Sequence, residues 1–298
     1  MDKLTINAPC KINLTLKVGD KRPDGFHNIE SMFLALPLYD TLEFKFAPRA
    51  DGAFSCAVTM KAEGLPPVQA DALSAIPNEE NIIYRAAALF HKETGVGFDL
   101  EAPVTKRIPA GGGLGGASTN AAAVLFALSK FTGQETAGLA ALSGSDTPFL
   151  LAALENGGGG GIFGGAFCAF VSGRGERFIP IQCPVNPPFW VVLAHPGFSS
   201  GTPRAYALLD EFREKGEPGV EVSARLRTAP NSFLPVFLAL GTEEERGGYA
   251  AILADLWRQK PDVYGLSGSG SVCFAVFTEE SAAQKACAEI KAAWVVCV

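Results

Sequence analysis

Histidine is scarce in this chain, with three in 298 residues, and none of the seven cysteines falls in a Cys-x-x-Cys pair. Both shortages weigh against a zinc site. The cysteines (Cys10, Cys56, Cys168, Cys183, Cys273, Cys287, Cys297) are odd in number and scattered. They fit free, buried thiols in a reducing compartment rather than a disulfide framework. Lysine- or arginine-rich runs are also missing, and the net charge is −6. Nucleic acid and anionic membrane are therefore disfavoured as main partners. A small anionic ligand is not, because a local site can hold one whatever the net charge. No stretch of about 20 apolar residues is available to span a bilayer. The opening MDKLTINAPCK lacks the apolar run of a signal peptide. The expectation is a soluble, cytoplasmic protein with no nucleic-acid or membrane partner and an oligomeric state left open.

What is present suits a well-cored globular protein, since 48% of residues are hydrophobic and 19% charged. Leu4, Ile6, Ala8, Cys10, Ile12, Leu14, Leu16 and Val18 alternate with polar residues, a period of two that predicts a strand interrupted near Pro9. Thr41–Phe46 alternates likewise. Helical spacing marks Asn81–Lys92 and Ala121–Lys130. Five consecutive glycines within Asn156–Gly165 predict a flexible excursion. Beyond it come strands near Phe167–Val171 and Phe189–Ala194. Helices are expected near Pro203–Lys215, Ser232–Leu240 and Tyr249–Gln259, then a strand at Val272–Phe277 and a final helix over Glu280–Ala293. Strands and helices alternate without a regular βαβ rhythm, which argues for an α+β fold.

The segment Pro109–Leu128, PAGGGLGGASTNAAAVLFAL, carries the strongest local signal. Five of the six residues from Gly111 to Gly116 are glycine, and a helix follows at once. Such a run persists where the backbone needs positive φ or close approach. A dinucleotide-binding loop fits poorly, because Lys106, Arg107 and Pro109 precede it instead of an apolar strand. A Walker loop is excluded by the absence of any Gly-Lys-Ser/Thr sequence. What remains is a turn feeding a helix capped by Ser118 or Thr119. Its free N–H groups and the helix dipole would gather an anion, with Lys106 adding charge.

Two distant stretches bear on the same question: APCKINLTLKV (Ala8–Val18) and GLSGSGSVCFAVF (Gly265–Phe277). With the glycine loop they resemble the three signature motifs of the GHMP small-molecule kinases. Within that superfamily RPDGFHNIESMF (Arg22–Phe33), GSDTPFLL (Gly144–Leu151) and HPGFSSGTPRAY (His195–Tyr206) are similar to the kinases that act on a cytidine-diphosphate-linked methylerythritol.

The resemblance implies an N-terminal domain like domain 2 of ribosomal protein S5 and a ferredoxin-like C-terminal domain, divided as 1–180 and 181–298. It implies ATP as co-substrate, Mg²⁺ in company, and transfer to a tertiary hydroxyl. The ATP phosphates would rest on Pro109, Ala110, Gly111, Gly112, Gly113, Leu114, Gly115, Gly116, Ala117, Ser118 and Thr119, with Asn81 and Lys106 nearby. Lys11 and Asp146 match the catalytic pair. On spacing alone Lys11 reads equally as a solvated lysine, and Asp146 as a helix cap. Phe26, His27 and Tyr206 match the cytosine-binding positions, with phenylalanine where tyrosine is common; Asn13 and Thr202 are further substrate contacts. Metal ligands are not assigned. The alternatives are a homoserine- or mevalonate-type kinase, or an ATP-binding relative that no longer transfers phosphate.

Overall fold

A computed structural model describes residues 2–65, 67–157, 167–216, 228–291 and 293–298. Most of the excursion expected at 156–165 lies outside the described residues.

Strands β1 (Asp2–Lys21) and β2 (His27–Pro48) form a long antiparallel hairpin. The turn between them follows from its sequence. Gly25 takes φ +84, and the Asp24 carboxylate accepts the Phe26 N–H at 3.1 Å. The opposite edge of β2 pairs with β4 (Phe98–Lys106) and with β5 (Cys168–Ser172). Strand β3 (Phe54–Ala62) runs parallel to β4, and β6 (Arg177–Ile181) closes the other end. Helices α2 (Ile82–Thr94), α3 (Gly116–Thr132) and α5 (Thr147–Glu155) lie against this six-stranded sheet, with α1 (Pro67–Ser74) beside β3 and α4 (Ala137–Ser143) beside α5.

A second, all-antiparallel sheet has the order β10-β7-β9-β8. Its strands are β7 (Trp190–Ala194), β8 (Val263–Leu266), β9 (Cys273–Phe277) and β10 (Ala293–Cys297). Helices α8 (Glu243–Arg258) and α9 (Glu280–Glu289) cover it, while α6 (Thr202–Glu214) packs with α7 (Phe233–Leu240).

The alternation of β1 does not make one continuous face. Register shifts fall at Pro9/Cys10 and Asn13/Thr15. At the first, β2 advances three residues against one of β1, and at the second β1 advances two against one of β2, irregularities that re-aim the side chains around them. Ile6, Ala8, Leu16 and Val18 therefore join the core beneath the helices, whereas Cys10, Ile12 and Leu14 join a second core shared with Val191, Leu193 and Phe274. The interruption expected at Pro9 is thus the device that turns Lys11 and Asn13 inward.

Three boundaries depart from expectation. Helix α3 starts at Gly116 on an N-cap of Gly115, with no side-chain cap, so neither Ser118 nor Thr119 caps it. Helix α8 begins at Glu243 rather than Tyr249, because Thr242 and Glu245 form a capping box ahead of the Gly247-Gly248 pair. The last helix ends at Glu289, and Ala293–Cys297 is a strand paired with β7. Its AWVVC sequence is β-branched and aromatic, which favours a pleated surface. The cysteines are unbridged; Cys10, Cys56, Cys168 and Cys273 are buried, but Cys297 is exposed, against the expectation of buried thiols throughout.

Phe98 anchors the larger core. It is fully buried, stacks on Phe46 at 5.5 Å and meets Phe54 edge-on at 5.2 Å. Phe98→Ala is expected to lower the free energy of unfolding by about 3–5 kcal/mol in a denaturant titration. A loss under about 1 kcal/mol would show that the aromatic cluster collapses around the gap.

Candidate active site

The glycine loop lies between the two sheets. Gly111, Gly113 and Gly115 take φ of +65, +73 and +73, an alternation that turns successive N–H groups into one concavity. The loop's carbonyls point the other way and are occupied. Gly111 O accepts from the N–H groups of Ser200 and Ser271, Gly112 O from Val272 N–H, and Leu114 O from Lys11 N–H, all at 2.9–3.2 Å. Among the described residues, no backbone N–H from Gly111 to Ser118 donates to another protein group. These donors open, with the start of α3, onto a cavity of about 910 Å³. An N-terminus with free N–H groups is an anion site without any lysine.

Close approach makes glycine obligatory here. A Cβ on Gly113 would collide with the Ser267 carbonyl, and one on Gly112 would stand 2.8 Å from Val272 Cγ2. Pro109 through Ser118 line the cavity. Thr119 does not; its hydroxyl is buried without a partner among the described residues, so its expected place on the phosphates is corrected to a place behind the cavity wall.

Lys11 and Asp146 come together beside this loop. The Lys11 ammonium donates to Asn13 Oδ1 at 2.7 Å and to Gly113 O at 3.0 Å, and stands 3.2 Å from Asp146 Oδ2. Its side chain is 4% exposed, so the solvated-lysine reading fails. Asp146 stands at the N-cap position of α5 yet makes no side-chain cap bond, so the capping reading fails as well. Its carboxylate, one quarter exposed, faces the cavity with Lys11 as its ion-pair partner. Asn13 is locked in turn by donating to Ser31 Oγ at 2.9 Å.

Lys106 lines the cavity, but its ammonium bonds the buried Asp40 carboxylate and Asn120 Oδ1. Asp40 also accepts the N–H groups of Arg107 and Ile108 at 2.8 and 3.0 Å and Asn120 Nδ2 at 3.0 Å. The expectation that Lys106 lends its charge to the loop is therefore corrected. Asp40 neutralises that charge, and the pair clamps the root of the loop to α3. Asn81 lines the same cavity while capping α2 through Ile83 N–H at 3.0 Å.

The same cavity is lined by Phe26, His27, Thr202 and Tyr206. Phe26 is 52% exposed, with the Arg174 guanidinium 4.9 Å from its ring centre. His27 is buried and lies on the Tyr206 ring, centroids 5.0 Å apart and planes at 29°. Burial pushes the Tyr206 phenol up to about 12, and the Asp146 charge adds to the shift. The hydroxyls of Thr202 and Ser269 share a 3.0 Å hydrogen bond. The structure thus places the glycine loop, the Lys11–Asp146 pair and an aromatic cluster around one cavity.

Residues 81–171 match the GHMP kinases N terminal domain and 231–296 the GHMP kinases C terminal domain. A 4-diphosphocytidyl-2-C-methyl-D-erythritol kinase of Treponema pallidum is 32% identical, covering 100% of this chain and 98% of its own. The enzyme of that name from Alkalilimnicola ehrlichii is 31% identical over 96% of this chain and 87% of its own. The chain belongs to this kinase family. A crystal structure of 4-(cytidine 5'-diphospho)-2C-methyl-D-erythritol kinase matches with a TM-score of 0.70 at 27% identity, over 99% and 98% of the two chains. Homoserine kinase from Cytophaga hutchinsonii shares the fold, with a TM-score of 0.60 at 15% identity over 100% and 95%. The kinase is accordingly a phosphotransferase with the two-part GHMP α+β architecture. No helix among its described residues is long and apolar enough to cross a membrane.

Sequence reasoning missed several residues that line this kinase's cavity or support it from beneath. Asp40 follows an apolar run, LALPLY, where an isolated acid is itself a signal of a buried partner. Asp210 is one helical turn beyond Tyr206 and bonds His27 Nε2 at 2.8 Å. Arg174 sits in a turn after β5 that carries no motif. Gly113→Ala is expected to cost at least about 1–3 kcal/mol of stability through positive φ alone. Gly138→Ala, in open space on α4, should instead add about 0.5–1 kcal/mol. Equal thermal unfolding of the two variants would contradict the close approach at Gly113.

Proposed function

We propose that this kinase transfers the γ-phosphoryl group of ATP to the tertiary hydroxyl of 4-diphosphocytidyl-2-C-methyl-D-erythritol. The observation that carries the reading is the ion pair of buried Lys11 with half-buried Asp146, which lines one cavity together with a phosphate-type loop and an aromatic, histidine-bearing cluster. The phosphates rest on the N–H groups of Gly111 to Ser118. Asp146 accepts the hydroxyl proton as the new O–P bond forms and the bond to the β-phosphate breaks, releasing ADP. Lys11 stands beside the carboxylate and offsets negative charge on the group in flight. Asn13 orients Lys11, and Thr202 with Ser269 offers hydroxyls toward the substrate. Phe26 and Tyr206 supply aromatic faces for cytosine, and His27 a polar edge.

Magnesium fits this donor set as an ion that arrives with ATP. No group of three His, Cys, Asp or Glu side chains gathers among the described residues. The available oxygens, the Ser118 hydroxyl and the Asp146 carboxylate, suit a hard cation that keeps most of its bonds to water and phosphate. Bound there, it would neutralise phosphate charge. We assign residues 1–180 to the nucleotide-holding domain and 181–298 to its partner, and the cytoplasm as the compartment that supplies ATP.

Asp146→Asn preserves shape but cannot accept the proton. It is expected to fold and bind ATP while losing about 10²–10⁴-fold in turnover of the cytidylated substrate. Near-normal turnover would remove Asp146 from the mechanism. Phe26→Ala should raise the dissociation constant of that substrate about 5–150-fold and leave ATP affinity unmoved, measured by calorimetry. Weakened ATP with unchanged cytidylated substrate would reverse the assignment of the two ends.

A further inference from the structure

His27 is held from two sides by one helix. Tyr206 and Asp210 stand four residues apart on α6, so both side chains project from the same face. Tyr206 covers the imidazole ring, and Asp210 Oδ1 takes Nε2 at 2.8 Å. The other carboxylate oxygen, Oδ2, accepts from the Lys21 ammonium at 2.7 Å. Among the described residues nothing bonds His27 Nδ1, although the ring borders the cavity.

We propose that Asp210, balanced by Lys21, is a positioning residue that fixes the tautomer of His27 and thereby sets the kinase's preference for a cytosine over a uracil base. The proposal rests on the reading of this end of the cavity as the nucleobase site. A carboxylate only accepts hydrogen bonds, so the proton of a neutral His27 must sit on Nε2. Burial alone would raise the Asp210 carboxyl, but its bonds from Lys21 and His27 hold it below its ordinary value. The lone pair is then left on Nδ1, the nitrogen without a protein partner. Cytosine carries an amino donor at the ring position where uracil carries a carbonyl acceptor. An Nδ1 lone pair attracts the first and repels the second.

Lys21 explains why the acid does not spoil this arrangement. An unbalanced carboxylate beside a histidine favours the imidazolium, in which both nitrogens donate. Such a ring would greet a uracil carbonyl and turn away an amino group. With Lys21 on Oδ2, the Asp210 charge is offset, and Nδ1 is the ring nitrogen left facing the cavity without a partner among the described residues. The register pairs Lys21 with His27 at the end of the β1–β2 hairpin, so one turn delivers both residues to Asp210.

The test compares cytidine- and uridine-diphosphate-linked methylerythritol in steady-state kinetics for wild type, Asp210→Ala and Asp210→Asn. Asp210→Ala is expected to raise KM for the cytidine substrate about tenfold and to cut the cytidine preference by a similar factor. Its kcat and its KM for ATP should stay close to wild type. Asp210→Asn should recover most of the preference, because its amide oxygen still accepts from Nε2–H. Nitrogen-15 NMR of the three histidines reads the tautomer without turnover. Wild-type His27 should carry its proton on Nε2, and Asp210→Ala should show a mixture. A wild-type ring protonated on Nδ1, or an unchanged cytidine preference in Asp210→Ala, would overturn the role of Asp210. If wild type phosphorylates neither substrate, the nucleobase reading itself falls, and the role of Asp210 falls with it.

Discussion

The contact on which this molecule depends is backbone against backbone, where the glycine loop meets the Ser267–Val272 turn. Gly113 fits against the Ser267 carbonyl only because it has no side chain. That approach makes the loop's carbonyls bond to Val272, Ser271 and Lys11, and so leaves its N–H groups facing the cavity. It also ties the two sheets together at the point where phosphate would lie. Remove the fit and the anion site, the inter-sheet seam and the seat of Lys11 are lost together.

Charge is handled in the same economical way. Two lysines, Lys11 and Lys106, are buried within reach of the loop, and each has an assigned acid. Lys106 belongs to Asp40, which has no exposed surface and is saturated by four donors. Lys11 belongs to Asp146, whose carboxylate still faces the cavity. Equal residue types thus divide between structure and chemistry according to whether the partner acid is enclosed. Burial, more than identity, decides which ion pair remains open to a substrate.

Much of this was legible in the sequence, for definite reasons. The glycine loop, the β1 alternation with its break at Pro9 and the helices α2, α3 and α6 are local patterns, and they emerge where period and turn chemistry place them. Lys11 and Asp146 were visible only through motif resemblance, because spacing alone reads one as solvated and the other as a cap. Asp40 and Asp210 stayed hidden because their meaning depends on partners far along the chain: Lys106 is 66 positions from Asp40, and His27 is 183 from Asp210. The last strand was missed because a good helix runs directly into it, and pairing with β7 overrides the continuation of helical pattern after Glu289.

The bond from Asn13 N–H to Ser267 Oγ spans 254 positions, and that span has a meaning in time. A ribosome adding roughly 5–20 residues each second emits the second partner about 13–50 s after the first. Through that interval the inward-turned Lys11 and the glycine loop have no Ser267–Val272 turn to close on. Long-range pairing of this kind is entropically slow to form. The concavity of the glycine loop is therefore closed late in the making of the chain, although the strand bearing Lys11 emerges well before it.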